Sequence, residues 1–226
     1  NGAVATVDRE TTIQGIVTHD PTYLKAQTVN FKIAGALWVK GGGRIHANEK
    51  STFRTNSFHS ASYGGSGCLT CSGSENTVYG DFRNPDDLGQ HAVNLGTYAG
   101  GRIMVEAGSL RLDGSMEAIG KYGASGGTVN VKIAGGEVSG AGRVDVSVQT
   151  GGSSYGGGGG RAAITGYSKI DPAILTAAVM HGSSGTRSGP GTFFYKAGCL
   201  PPRDGQSNGH LIIRSPSFKA DHTTPV

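Results

Sequence analysis

The sequence predicts an all-β, single-domain parallel β-helix (a β-solenoid) with glycine-rich turns, its rungs running from about residue 10 to about residue 215. Three observations predict it. Glycine supplies 40 of 226 residues, more than twice its usual share of about 7%. Apolar residues recur at every second position in short runs bounded by glycine, the period of a half-buried strand. A template of glycine pair, alternating strand and glycine then repeats: Gly100–Gly108, Gly126–Gly135, Gly159–Gly166 and Gly189–Gly198. Its second glycines, Gly101, Gly127, Gly160 and Gly191, stand 26, 33 and 31 residues apart.

The elements follow in chain order. Near the N-terminus, Leu37, Val39, Ile45 and Ala47 align with Leu110, Leu112, Met116 and Ala118, and again with Val138, Gly140, Val144 and Val146. A repeat of this length cannot bury its own apolar face, but stacked neighbours bury a continuous one. The run Gly151–Gly160 reads as a turn, since template strands flank it on both sides. Asp171-Pro172 offers an N-cap and first helical position ahead of Ala173–Met180; the same residues also read as a strand, which the rung spacing favours. The first dozen residues and the proline-bearing tail Ser215–Val226 are expected to cover the two open ends, because proline cannot extend a ladder.

Composition excludes several classes. This much glycine argues against an all-α chain, each helical glycine costing roughly 1 kcal/mol relative to alanine. Collagen needs a strict period of three, and the glycines here lack one. With 16% charged residues and a net charge of +4, the chain is a poor candidate for disorder. No apolar stretch approaches the roughly 20 residues of a membrane span, and no signal-peptide pattern opens the sequence. Basic residues are scattered rather than clustered, so nucleic acid is not an expected partner.

Taken in order, Phe31–Ala47, Ser62–Gly67 and Tyr79–Gly89, followed by the template copies and Gly209–Ile213, resemble glycine-rich parallel β-helix repeat modules of large secreted or cell-surface proteins. The resemblance spans roughly residues 29–213. It implies an extracellular or cell-surface, non-catalytic structural or adhesive scaffold with no cofactor. Extracellular glycans, met by arginines and turn aromatics, or further copies of the chain, stacked on its open ends, are the expected partners. A glycan-binding module is the alternative reading, and a polysaccharide-cleaving enzyme the third.

Candidate chemistry is sparse. Cys68, Cys71 and Cys199 allow at most one intramolecular disulfide, from Cys199 to one of the pair or within the CxxC itself. A zinc site completed by His59 or His91 is the sharper alternative, and no second CxxC supports it. Asp81, Asp86 and Asp87 are weak calcium candidates beside Asn84-Pro85, where an ordinary turn is the simpler reading. Arg44, Arg102, Arg143 and Arg161 each follow a small turn residue, and with Tyr63 and Tyr79 they are candidate glycan contacts. Arg44 and Arg143 belong to one strand type, Arg102 and Arg161 to the other, so one continuous stripe is not expected. Further aromatic residues, Trp38, Tyr98, Tyr122 and Tyr155, also lie in or beside turns. Glycoside cleavage needs paired carboxylates, and chain spacing alone brings no two of Asp113, Glu117, Glu137 and Asp145 together. No Ser/His/Asp grouping or P-loop is present.

Overall fold

The computed structural model describes residues 4–18, 27–53, 61–67, 77–91, 97–121, 123–149, 156–182, 188–198 and 209–213. Fourteen strands and one short helix form within them. The larger sheet takes β1 (Val4–Val7), β4 (Thr28–Val39), β6 (Arg102–Leu112), β8 (Thr128–Ile133), β11 (Arg161–Tyr167), β13 (Thr192–Ala197) and β14 (His210–Ile212) in that order. Beside these run β2 (Thr11–Ile13) against β4, β9 (Glu137–Ser139) against β6, and β12 (Lys169–Ile170) against β9. The smaller sheet orders β10 (Arg143–Asp145), β7 (Ser115–Glu117), β5 (Arg44–His46) and β3 (Ile16–Val17).

The expected parallel β-helix is corrected by this architecture. The strands form mixed sheets, ten and four strands in size, with parallel pairs throughout except that β14 runs antiparallel to β13. The physical reason lies in the template. The template strand and the aligned apolar run that follows it were expected to be separate strands with a glycine turn between them. Instead β4 and β6 run through both as single strands of 12 and 11 residues, shifting register between Ile33 and Ala36. Gly35 and Gly108 therefore serve a bulge that bends one strand, rather than a turn that starts a new wall.

The alignment of apolar positions does appear as strand register. Leu37 pairs with Leu110 and Leu110 with Val138, while Ile45 and Val144 both pair with Met116. These side chains meet in the core between the sheets, each at most 1% exposed. The Asp171–Met180 stretch is a second correction: α1 (Pro172–Thr176) is a helix, capped by the Asp171 carboxylate accepting from Ala173 N at 2.9 Å. Proline preset for a first turn and an N-cap acceptor outweighed the rung spacing. Strand-like pairing resumes only after it, where Val179 N donates to Val144 O.

The glycine pairs have one repeated task. Gly101, Gly127, Gly160 and Gly191 donate to the carbonyls of Ala47, Ala118, Val146 and Met180 at 2.7–2.8 Å, tying the large sheet to the arm before it. A Cβ on Gly127 would overlap the carbonyl of Gly101, one on Gly160 that of Gly127, and one on Gly191 that of Gly160. The column requires glycine because backbone occupies the space of each missing side chain.

Candidate functional site

Two polar clusters and one groove lie on the outer faces of the sheets. The first cluster is a cross-strand row, Thr28–Arg102–Thr128–Arg161–Thr192, in register over five strands. Residues 77–91 lie over it as a strap. Arg102 donates from Nε to Thr28 Oγ1 at 3.0 Å and pairs through Nη1 with Asp86 Oδ1 at 2.6 Å. Arg161 grips the Tyr79 carbonyl with Nε and Nη2, at 3.0 and 2.9 Å, and reaches Thr192 Oγ1 with Nη1. Thr128 donates to Asp87 O at 2.7 Å and shares a 2.6 Å hydrogen bond with the Tyr63 hydroxyl. One pleat further along, Asn130 donates to Asn84 Oδ1 and Pro85 O, and Phe82 packs edge-on against Phe194. The strap makes Thr128, Asn130 and Arg161 buried residues on what would otherwise be a wet face.

The strap disposes of several sequence candidates. Tyr63 is wholly buried and Arg161 is 3% exposed, so neither offers a surface to a glycan; both are corrected to structural residues. Burial pushes the Tyr63 hydroxyl up in pKa, and desolvation pulls the Arg161 guanidinium down. Tyr79 packs at a tilt against Tyr63 with centroids 5.0 Å apart and donates its hydroxyl to Leu88 O. Asp81 accepts from Arg83 N in a local turn, and Asp86 is committed to Arg102. No cluster of three or more metal-ligating side chains occurs among the described residues. The cysteine candidates Cys68, Cys71 and Cys199, and with them His59, lie outside the described residues.

The second cluster sits on the small sheet, where His46, Glu117 and Asp145 are neighbours across β5, β7 and β10. Glu117 is 4% exposed. Its Oε2 accepts from Arg44, through both Nε and Nη2, and from Asn48 Nδ2. Its Oε1 accepts from Ser115 Oγ at 2.8 Å and Arg143 Nη2 at 3.1 Å. Burial pushes this carboxyl up, but the hydrogen bonds from Asn48 and Ser115 and the two guanidinium groups outweigh it and hold Glu117 below the ordinary glutamate value. Arg44 and Arg143, candidate glycan contacts on one strand type, thus flank one carboxylate. Glu117 and Asp145 were missed as a pair, although the signal was present: each directly follows an aligned core position, Met116 or Val144.

The groove crosses the large sheet where its strands bulge. It encloses about 450 Å³ and is lined by Thr6, Asp8, Lys32, Glu106 and Lys132 over a floor that includes Ala34 and Gly108. Register continues the row from Lys132 through Thr165 to Lys196. Lys32 and Glu106 pair at 3.4 Å, each more than half exposed. Beyond the bulge, Trp38 donates to Asp113 Oδ2, while Lys40 and Arg111 lie over its ring at 4.8 and 4.6 Å. The Trp38 hydrogen bond and Arg111 hold the Asp113 carboxyl below its usual value. Compared with protein-family models, curated proteins and solved structures, the chain matches none.

Proposed function

We propose that the chain is a non-catalytic structural and adhesive module of an extracellular or cell-surface protein. The observation that carries this reading is the internal commitment of its polar side chains. Arg102 and Arg161 pin the strap, and Glu117 accepts from Arg44, Asn48, Ser115 and Arg143. A polar network paired this extensively within the fold rigidifies it and leaves little free for chemistry. The extracellular location rests on the resemblance of the glycine-rich blocks alone. Polysaccharide cleavage through Glu117 and Asp145 would need one protonated carboxyl near neutral pH, and the ionised state of Glu117 weighs against it.

A second reading, glycan binding, is favoured by one observation: three exposed lysines, Lys32, Lys132 and Lys196, share one row beside an open groove. The main reading is tested by pulling tandem copies in a single-molecule force experiment and by incubating the chain with a panel of neutral and acidic polysaccharides. A scaffold unfolds in one abrupt event and leaves the polymers intact. Gradual peeling at low force, or the release of new reducing ends or unsaturated products, overturns it.

A further inference from the structure

We propose that two copies of this chain pair edge to edge through β1, antiparallel across a two-fold axis, and that assembly stops at two. The inference goes beyond the scaffold reading and does not depend on it. Its basis is the difference between the two ends of the sheets. At one end β13 is covered by the antiparallel β14, and in the small sheet β10 is followed by the bridge from Asp145 to Val179. At the other end β1, β2 and β3 each pair on one side only among the described residues.

An unpaired edge is a template for another strand, and natural edges are blunted by lysine, proline, a bulge or a cover. Val4-Ala5-Thr6-Val7 carries no charge and no proline, pairs with β4 without a register shift, and is rich in β-branched residues. Apolar surface accompanies the open backbone: Val4 is 45% exposed and Ile16 on β3 is 67% exposed. The occupant follows from strand direction. A head-to-tail copy would set β1 against β14, which runs reversed, and β2 toward β12, which does not, so one rigid copy would have to pair antiparallel with the first and parallel with the second. The β1 end, by contrast, matches itself. An isologous contact uses the same edge twice and closes, with Val4 of one copy facing Val7 of the other and Ala5 facing Thr6.

Sedimentation velocity and light scattering of the full chain over a range of concentrations test the pairing, with hydrogen exchange locating it. The expected result is a monomer–dimer equilibrium with no larger species, and amides of residues 4–7 that exchange more slowly as concentration rises. Thr6 is exposed, so Thr6→Lys leaves the monomer fold intact by circular dichroism while bringing two like charges beside the axis. It should weaken the dimer at least tenfold; Lys196→Gln, at the far end, should not. A monomer at every concentration, growth into filaments, or a dimer as strong in Thr6→Lys as in the parent overturns the proposal.

Discussion

Glu117 and Asp145 face one another across β7 and β10, and a single nitrogen of Arg143 reaches both, at 3.1 and 3.5 Å. The arrangement makes Glu117 the keystone of the small sheet's outer face. Replacing it by glutamine keeps the shape but removes the charge that two arginines face. Because Arg44 and Arg143 remain partly in water, the expected loss is about 1–3 kcal/mol. Urea unfolding at neutral pH measures it.

The same carboxyl gives a pH dependence. Its folded value lies below the ordinary 4.5, so between the two values the unfolded chain binds more protons than the folded one. The Glu117 contribution is therefore complete above about pH 4.5 and is lost as pH falls through the lower folded value. Acid titration of stability should show this fall in the parent and a flatter curve in Glu117→Gln. Parallel curves would show that other carboxyls dominate.

Register predicts a contrast between neighbours on β6. Leu110 lies in the core between Leu37 and Val138, whereas Arg111 is solvent-facing beside Trp38. Leu110→Asp should cost several kcal/mol, about 4 or more, by burying an unpaired charge. Arg111→Gln should cost about 1 kcal/mol or less, the worth of an exposed cation–π contact. Equal melting temperatures would refute the register.

Among the glycines, position rather than number decides the effect. Gly127→Ala drives a methyl group into the Gly101 carbonyl and should unfold the chain or keep it from accumulating in soluble form. Gly15→Ala, with nothing within 4 Å, should be neutral or stabilise by up to about 1 kcal/mol through the unfolded chain. Thermal melts of the two variants separate the cases.

Arg161→Lys tests the strap. A lysine cannot reproduce the fork on the Tyr79 carbonyl, and the loss should be about 2 kcal/mol with faster hydrogen exchange in residues 77–91. Exchange in β4 and β6 should rise far less. Uniform acceleration across the chain would mean that the strap and the sheet open together.

For the glycan reading, the parent should bind an acidic polysaccharide in a salt-sensitive way, and Lys132→Gln with Lys196→Gln should weaken it at least tenfold. Binding that ignores both salt and these lysines would remove the groove from consideration.

The sequence made the packing register legible because alternation is a local property: the matches of Leu37, Leu110 and Val138 need only a template and a ruler. The strap was illegible for the opposite reason. Its anchors, Asp87 to Thr128 and Tyr79 to Arg161, join residues 41 and 82 positions apart with no periodicity to betray them. Tyr63 and Arg161 consequently looked like surface residues. The bend in β4 also escaped, because a glycine at a bulge and a glycine at a corner read identically in a chain. The pairing of Glu117 with Asp145 lay between these extremes, derivable by stepping one residue past each aligned core position.

The glycine column has a consequence for how such a chain changes over generations. Gly101, Gly127, Gly160 and Gly191 keep one alignment although 26, 33 and 31 residues separate them. What the fold requires is thus a lateral fit at four points and in the strands paired beside them, while the connections between strands differ in length from one copy to the next. A side chain has no room in the column, whereas a connection between strands can be longer or shorter without disturbing it. New loops, and with them new surfaces, enter such a lineage by lengthening the segments between glycines rather than by rewriting the sheet.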